Sequence, residues 1–190
     1  MRVSKAQAAA NRERIIIEAA RLFRLRGFDG ISIADVTKSA GLTHGGFYGH
    51  FGAKEDLMAE ACRHAVRTML DEWKAVAERS PDPLAAITRP YLSMRHRDDA
   101  GAGCLMAALG PDVSRQSAPV RKVVTECLRL VLDALARLTT GRTAGAKRKE
   151  AIVTFVTLVG ALVAARAIND SALAEEILQV TAASISRVRG

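Results

Sequence analysis

The chain has 190 residues, enough for one large or two small domains around a substantial core. Apolar residues make up 49% of it but aromatics only 4%, and no stretch alternates convincingly with period two, which disfavours sheets and favours helices packed through small aliphatic side chains. The net charge of +8 and isoelectric point near 9.9 suit a polyanionic partner or serve solubility, and the excess is concentrated in residues 1–54, where nine Lys or Arg face four Asp or Glu.

Residues 1 to about 10 are basic, Ala-rich and uncapped, the pattern of a mobile arm able to reach phosphates or a minor groove. From Asn11 the stripe Ile15, Ala19, Leu22, Phe23 predicts a first helix, which Gly27-Phe28 stops. Ser32 and Asp35 then form a capping box, with Ile31 placed to clasp Val36, so a second helix begins at Ile33. It stops near Ala40, because Gly41 takes a left-handed cap at little cost. Gly41 to Thr43 is a turn. Thr43 is expected to cap a third helix that ends at Gly52, with Leu42 against Phe47.

Phe47 and Phe51, four apart, face inward and leave His44, Gly45, Tyr48 and one side of His50 outward. Two short helices joined by a tight turn make a helix-turn-helix, whose second helix is usually placed in a major groove; a hairpin that merely packs is the alternative. Phenol, imidazole and ammonium groups can all bond phosphate oxygens, which makes Tyr48, His50 and Lys54 candidate backbone contacts. Thr43, His44, Gly45 and Gly46 lie where base edges would be reached. Lys38 on the rim, Ser32 and the arm complete the candidate set.

Lys54 opens a long helix to about Glu78, with Leu57, Ala61, Ala65, Met69, Trp73 and Val76 on one face. Ser80-Pro81-Asp82-Pro83 breaks it, and Asp82 caps a helix to about Arg97 in which Pro90 is expected to cause a kink or local opening. After a loop from Asp98 to Gly103, a short helix opens at Cys104, and Gly110-Pro111 ends or bends it. Further helices are expected from Pro119 to about Leu138, Lys147 to Ile168 and Ser171 to Val188. The expectation is an all-α chain of about nine helices, with a three-helix domain at 1–53 and a helical ligand-binding and dimerisation domain at 54–190.

Several function classes find no support. The four histidines lack ligand spacing such as HExxH, and there is no GxSxG or glycine-rich phosphate loop after a strand, so no catalytic residue, metal or cofactor is expected. Three cysteines without CxxC or His-paired spacing argue for a reducing compartment, and the N-terminus has no signal-peptide core. The apolar run Ala151 to Ala165 is shorter than the ~20 residues of a membrane span and reads as a buried helix. A cytoplasmic location away from the membrane follows.

The segment Leu42-Thr43-His44-Gly45-Gly46-Phe47-Tyr48-Gly49-His50-Phe51, with Lys54-Glu55 and Leu57 after it, resembles the TetR family of transcriptional regulators over about the first third of the chain. It departs from the family at Thr37, where a small Ala usually packs, and at Gly46 and Gly49, each costing up to ~1 kcal/mol against Ala in a helix. The resemblance gives Tyr48, His50 and Lys54 the same phosphate-contact role. It implies a homodimeric regulator, more often a repressor, released from a palindromic double-stranded operator by a small-molecule effector.

It also implies that the last two helices pair across the dimer, Gly160, Ala161, Ala164 and Ala165 giving a shallow face and Leu173, Ile177, Val180 and Ile185 a ridge; closing the monomer core is the alternative. An effector cavity would be lined by Met69, Trp73, Tyr91, Met94, Met106 and Phe155, each of which also suits plain core packing. Gly103-Cys104-Leu105, with Leu109 and Asp112-Val113, resembles the subset that includes the N-ethylmaleimide-responsive repressors, in which a Cys at this point senses electrophiles. A helix N-terminus favours thiolate at Cys104, whereas a buried Cys is inert. A ligand-binding module without DNA binding is the remaining alternative.

Overall fold

The computed structural model describes residues 4–187, without the side chains of His44, Ser186 and Arg187. Its helices are α1 (Lys5–Arg26), α2 (Ile33–Ser39), α3 (His44–Phe47), α4 (Lys54–Ala77), α5 (Pro83–Tyr91), α6 (Met94–Asp98), α7 (Leu105–Ser114), α8 (Ala118–Leu138), α9 (Ala144–Ala167) and α10 (Ser171–Arg187). No strand occurs among the described residues. The count is ten rather than about nine because the helix expected from Asp82 to Arg97 is two.

Local chemistry explains most of these boundaries. Ser4 accepts from the Gln7 amide at 3.1 Å, so α1 begins before the expected arm ends, and Lys5 to Ala10 are helical. Residues 1–3 of that arm lie outside the described residues. Gly27, at φ 76°, stops α1 while its N–H donates to the Phe23 carbonyl at 2.8 Å. The Ser32–Asp35 capping box is present in both directions. At the other end of α2, Gly41 is left-handed (φ 67°), and the Gly41 and Leu42 amides return to the Lys38 and Thr37 carbonyls at 3.0 and 2.8 Å, the paired bonds of a Schellman motif.

The expected kink or opening at Pro90 is a full break. Leu92 leaves helical geometry, and Ser93 starts α6 afresh by accepting from the His96 amide at 3.2 Å while donating to the Pro90 carbonyl at 2.7 Å. Pro111, in contrast, costs α7 a hydrogen-bond donor without ending it. Thr143 accepts from the Ala146 amide at 3.1 Å, which starts α9 three residues ahead of the expected Lys147.

Successive helices stack as α1 on α4, α4 on α8, α8 on α9 and α9 on α10, with α7 lying across α1, α8 and α9. Leu57, Met58, Ala61, Cys62, Ala65, Val66 and Trp73 bury α4 between its neighbours. The expectation of a buried α9 is corrected. Phe155, Leu158, Leu162 and Ala165 face the core, but Val153, Val156 and Val163 stand outward at 65%, 62% and 44% exposure. At 24 residues α9 also has the length and composition of a membrane-crossing helix, a weak criterion that core helices of globular proteins also meet.

Candidate nucleic-acid interface and ligand cavity

The segment after Gly41 is held by aromatic packing more than by helix propensity. The third helix is four residues long instead of running to Gly52. Thr43 occupies the cap position without a side-chain cap bond, and Gly45, Gly46 and Gly49 each weaken the helix against Ala. The chain continues through tighter turns, the His50 and Phe51 amides both returning to the Phe47 carbonyl at 2.8 and 3.1 Å. Phe47 and Phe51 are buried and stacked, ring centroids 5.3 Å apart at 23°, as their spacing predicts.

Outward from this anchor stand Thr43, Gly45 and Tyr48, the last 61% exposed with its ring edge-on to Phe47 at 5.2 Å. Lys38 and Ser32 are exposed on α2 and its cap, but the Ser32 hydroxyl is committed to Asp35 at 2.6 Å. Gly46 and His50 are half-buried. The His44 side chain, expected to read bases, lies outside the described residues. Lys54 has a structural duty in addition to the expected phosphate contact: Nζ donates to the Phe28 carbonyl at 2.6 Å and ties the first turn of α4 to the segment after α1. Thr37 is buried, and its hydroxyl is satisfied by the Ile33 and Ala34 carbonyls at 3.0 and 3.1 Å.

A cavity of about 250 Å³ lies between α1, α4, α5, α6 and the 99–104 linker. Met69, Trp73 and Tyr91, three of the six residues expected to line a cavity, line it together with Cys104, the expected sensor. The other three are corrected. Met106 and Phe155 line only a separate void of about 10 Å³, room for little more than one water. Met94 lines neither space: the break after Tyr91 re-aims α6, and Met94 packs half-buried against the core.

The cavity is also more polar than expected, since Arg24, His64, Glu72 and His96 share its wall. Arg24 directly follows the buried Phe23 on α1, a position at the flank of the apolar stripe that was a legible signal. His96 carried none, because its setting depends on the α5–α6 break.

The linker is pinned from two sides. Arg24 Nε donates to the Gly101 carbonyl at 2.7 Å from α1. From α9, Arg166 donates to the His96 and Arg97 carbonyls at 2.6 and 3.0 Å. His96 Nδ1 lies 2.7 Å from the Tyr91 carbonyl, and Nε2 accepts from the Cys104 amide at 3.0 Å, which assigns the neutral tautomer with its proton on Nδ1. Burial pushes the His96 pKa below 6.5; the bond to Tyr91 opposes this and the Arg166 charge reinforces it. Gly103 fits because a Cβ there would sit 2.7 Å from His96 Nε2 and 2.8 Å from Arg166 Nη2.

Cys104 occupies the cap position of α7 and is 4% exposed. Cys62 and Cys127 are buried within α4 and α8. Burial pushes the Cys62 thiol up to about 12 and raises that of Cys127, leaving both poor nucleophiles at neutral pH.

Residues 15–61 match the family profile described as bacterial regulatory proteins, tetR family. The HTH-type transcriptional repressor KstR2 of Mycolicibacterium smegmatis is 26% identical over 87 residues, covering 46% of this chain and 42% of that protein. The uncharacterized HTH-type transcriptional regulator YerO of Bacillus subtilis is 34% identical over 67 residues, covering 35% and 23%. The chain thus spans less than half the length of these curated relatives. Over nearly its whole length it shares a fold with reduced NemR of E. coli, at a TM-score of 0.79 and 21% identity, covering 94% of this chain and 96% of that one. The profile lies on the α1–α4 unit whose capping box, left-handed turn and buried aromatic pair have just been described, and the fold match extends beyond it to the remaining helices; residues 15–61 thus resemble the tetR family of bacterial regulatory proteins, while the likeness over the rest of the chain is one of fold.

Proposed function

We propose that the chain is a one-component repressor. Two copies place α3 in successive major grooves of a palindromic operator, and a small molecule entering the cavity releases them. Residues 1–53 serve as the DNA-binding part and residues 54–190 as the ligand-binding and dimerisation part, acting in the cytoplasm without a catalytic role. The observation that carries this reading is the outward set Thr43, Gly45 and Tyr48 on a segment locked inward by Phe47 and Phe51. Exposed glycine backbone lets the chain approach base edges closely, and the Tyr48 phenol can bond a phosphate.

The dimer seam belongs on the outer face of α9 and α10. Val153, Val156 and Val163 are exposed on α9, Leu173 and Val180 on α10, and a Cβ at Gly160 would meet nothing within 4 Å. Ala161 is 8% exposed within the single chain, so it belongs to the core and not to that seam.

The test is binding of labelled duplex DNA followed by anisotropy at several salt concentrations. Tyr48→Phe should weaken binding to specific and random duplexes alike, while His44→Ala should change base preference. Equal loss at every sequence for His44→Ala removes it as a base reader.

A second reading, in which Cys104 senses electrophiles, is favoured by its place on the cavity wall. At limiting N-ethylmaleimide, mass spectrometry should find Cys104 labelled ahead of Cys62 and Cys127, with loss of DNA affinity that Cys104→Ser abolishes. Equal labelling of the three, or labelling without loss, makes Cys104 a packing residue.

A further inference from the structure

Resting on the reading of the cavity as an effector site, we propose that its ligand is a small organic monocarboxylate, bound through the Arg24 guanidinium and the Tyr91 hydroxyl, with its apolar body against Trp73 and Met69. Two independent observations point to an acceptor at this spot. The first is Arg24, a half-buried cation on the cavity wall. Its only hydrogen bond among the described residues runs from Nε to the Gly101 carbonyl, and no carboxylate there lies within ion-pair distance of it. Its two terminal nitrogens, the fork that matches a carboxylate, are left for a partner. The second is Tyr91, 5% exposed and on the same wall, whose buried hydroxyl meets no nitrogen or oxygen partner among the described residues and has only the Cys104 thiol, a weak partner, beside it. A buried hydroxyl so poorly paired is costly, and a ligand oxygen would satisfy it.

Charge and size narrow the class. Arg24 is a single cation, and Glu72 on the same wall disfavours a second negative charge, which argues against a phosphate dianion. About 250 Å³ admits a body of roughly one ring, and Trp73, Met69 and Ile87 offer it an apolar face. The binding cation is also part of α1, the helix that braces the DNA-reading unit. A carboxylate on the two terminal nitrogens pulls on the same guanidinium whose Nε holds the Gly101 carbonyl, and so shifts the tie between α1 and the linker that leads to Cys104 and α7. Ligand binding and helix placement are thereby coupled through one side chain.

Trp73 is the only tryptophan and lies on the wall, so its emission reports occupancy directly. Full-length protein is titrated with benzoate, phenylacetate and 4-phenylbutyrate, and with the corresponding primary amides. The expected result is saturable quenching by at least one acid, about tenfold or more tighter than its amide. Arg24→Gln should erase that preference while leaving amide binding as it was. Tyr91→Phe, which removes only a hydroxyl whose one neighbour is the Cys104 thiol and so keeps the fold should Arg24→Gln disturb it, should weaken the acid several-fold. Equal binding of acid and amide, or a preference that survives both substitutions, overturns the carboxylate proposal and leaves a cavity for neutral ligands. Saturation by none of the six probes overturns it together with the effector-site reading, while DNA binding of the same samples shows whether the regulator reading stands.

Discussion

Gly27 shows how much a single residue can carry in this chain. Its φ of 76° is a conformation L side chains rarely adopt, and a Cβ there would lie 2.5 Å from Asp112 Oδ2 of α7. Gly27→Ala should therefore cost about 1–3 kcal/mol in urea unfolding, through strain and the displaced carboxylate together. A loss below a few tenths would mean that the α1–α7 contact yields freely. His96 makes a prediction in pH. Its folded pKa is depressed, so the stability it contributes is present in full above about 6.5 and is lost as pH falls through the lower folded value. Protonation at Nε2 would also break the bond from the Cys104 amide while Arg166 stands nearby. Between pH 7.5 and 5.5 the wild type should lose more stability than His96→Gln; equal slopes would remove His96 from the acid response. Gly27 was legible in sequence as a helix stop, but Asp112 beside it was not, because no local pattern announces a contact between helices so far apart in the chain.

At the scale of the element, capping residues were legible wherever side chain and backbone settle matters within four residues. Ser32, Asp35, Gly41 and Asp82 all act as their spacing predicts. Thr43 holds the cap position without a side-chain bond, and how far the opening at Pro90 goes was set by tertiary packing. Phe47 and Phe51 hold the chain after Gly41 whether or not it is helical, and α6 is re-aimed once Ser93 restarts it. This is why Met94 lies off the cavity wall while Met69 and Trp73, on the uninterrupted α4, lie on it. The short α3 gives a prediction of its own. Gly45 has negative φ, and a Cβ on it would meet nothing within 4 Å, so Gly45→Ala should raise stability by about 0.5–1 kcal/mol in denaturant titration. The same change should weaken DNA binding if exposed backbone approaches the bases. A gain in stability with unchanged affinity would place the base contacts elsewhere on α3.

For the whole molecule, α9 is the element whose role changed most between sequence and structure. Its apolar content was legible, but which valines face the core depends on the angle at which α8 and α10 pack against it, and only the fold supplies that angle. Two substitutions on α9 should separate its faces. Val156→Glu, at a position 62% exposed, should yield folded monomers in sedimentation, whereas Ala161→Glu, at 8%, should destabilise the chain itself by burying an unpaired charge. Intact dimers from Val156→Glu would move the seam off this face.

With that proposed seam, two copies of the α2–α3 unit would form a two-fold reader of DNA. The most direct measurement is selection of bound fragments from random double-stranded DNA by the purified full-length chain, with the stoichiometry of the winning duplex read by sedimentation. An inverted repeat should be enriched, with half-site centres about one helical turn, or a multiple of it, apart, bound by two copies or a multiple of two. Enrichment of no sequence, or of a lone half-site bound by one copy, would contradict it.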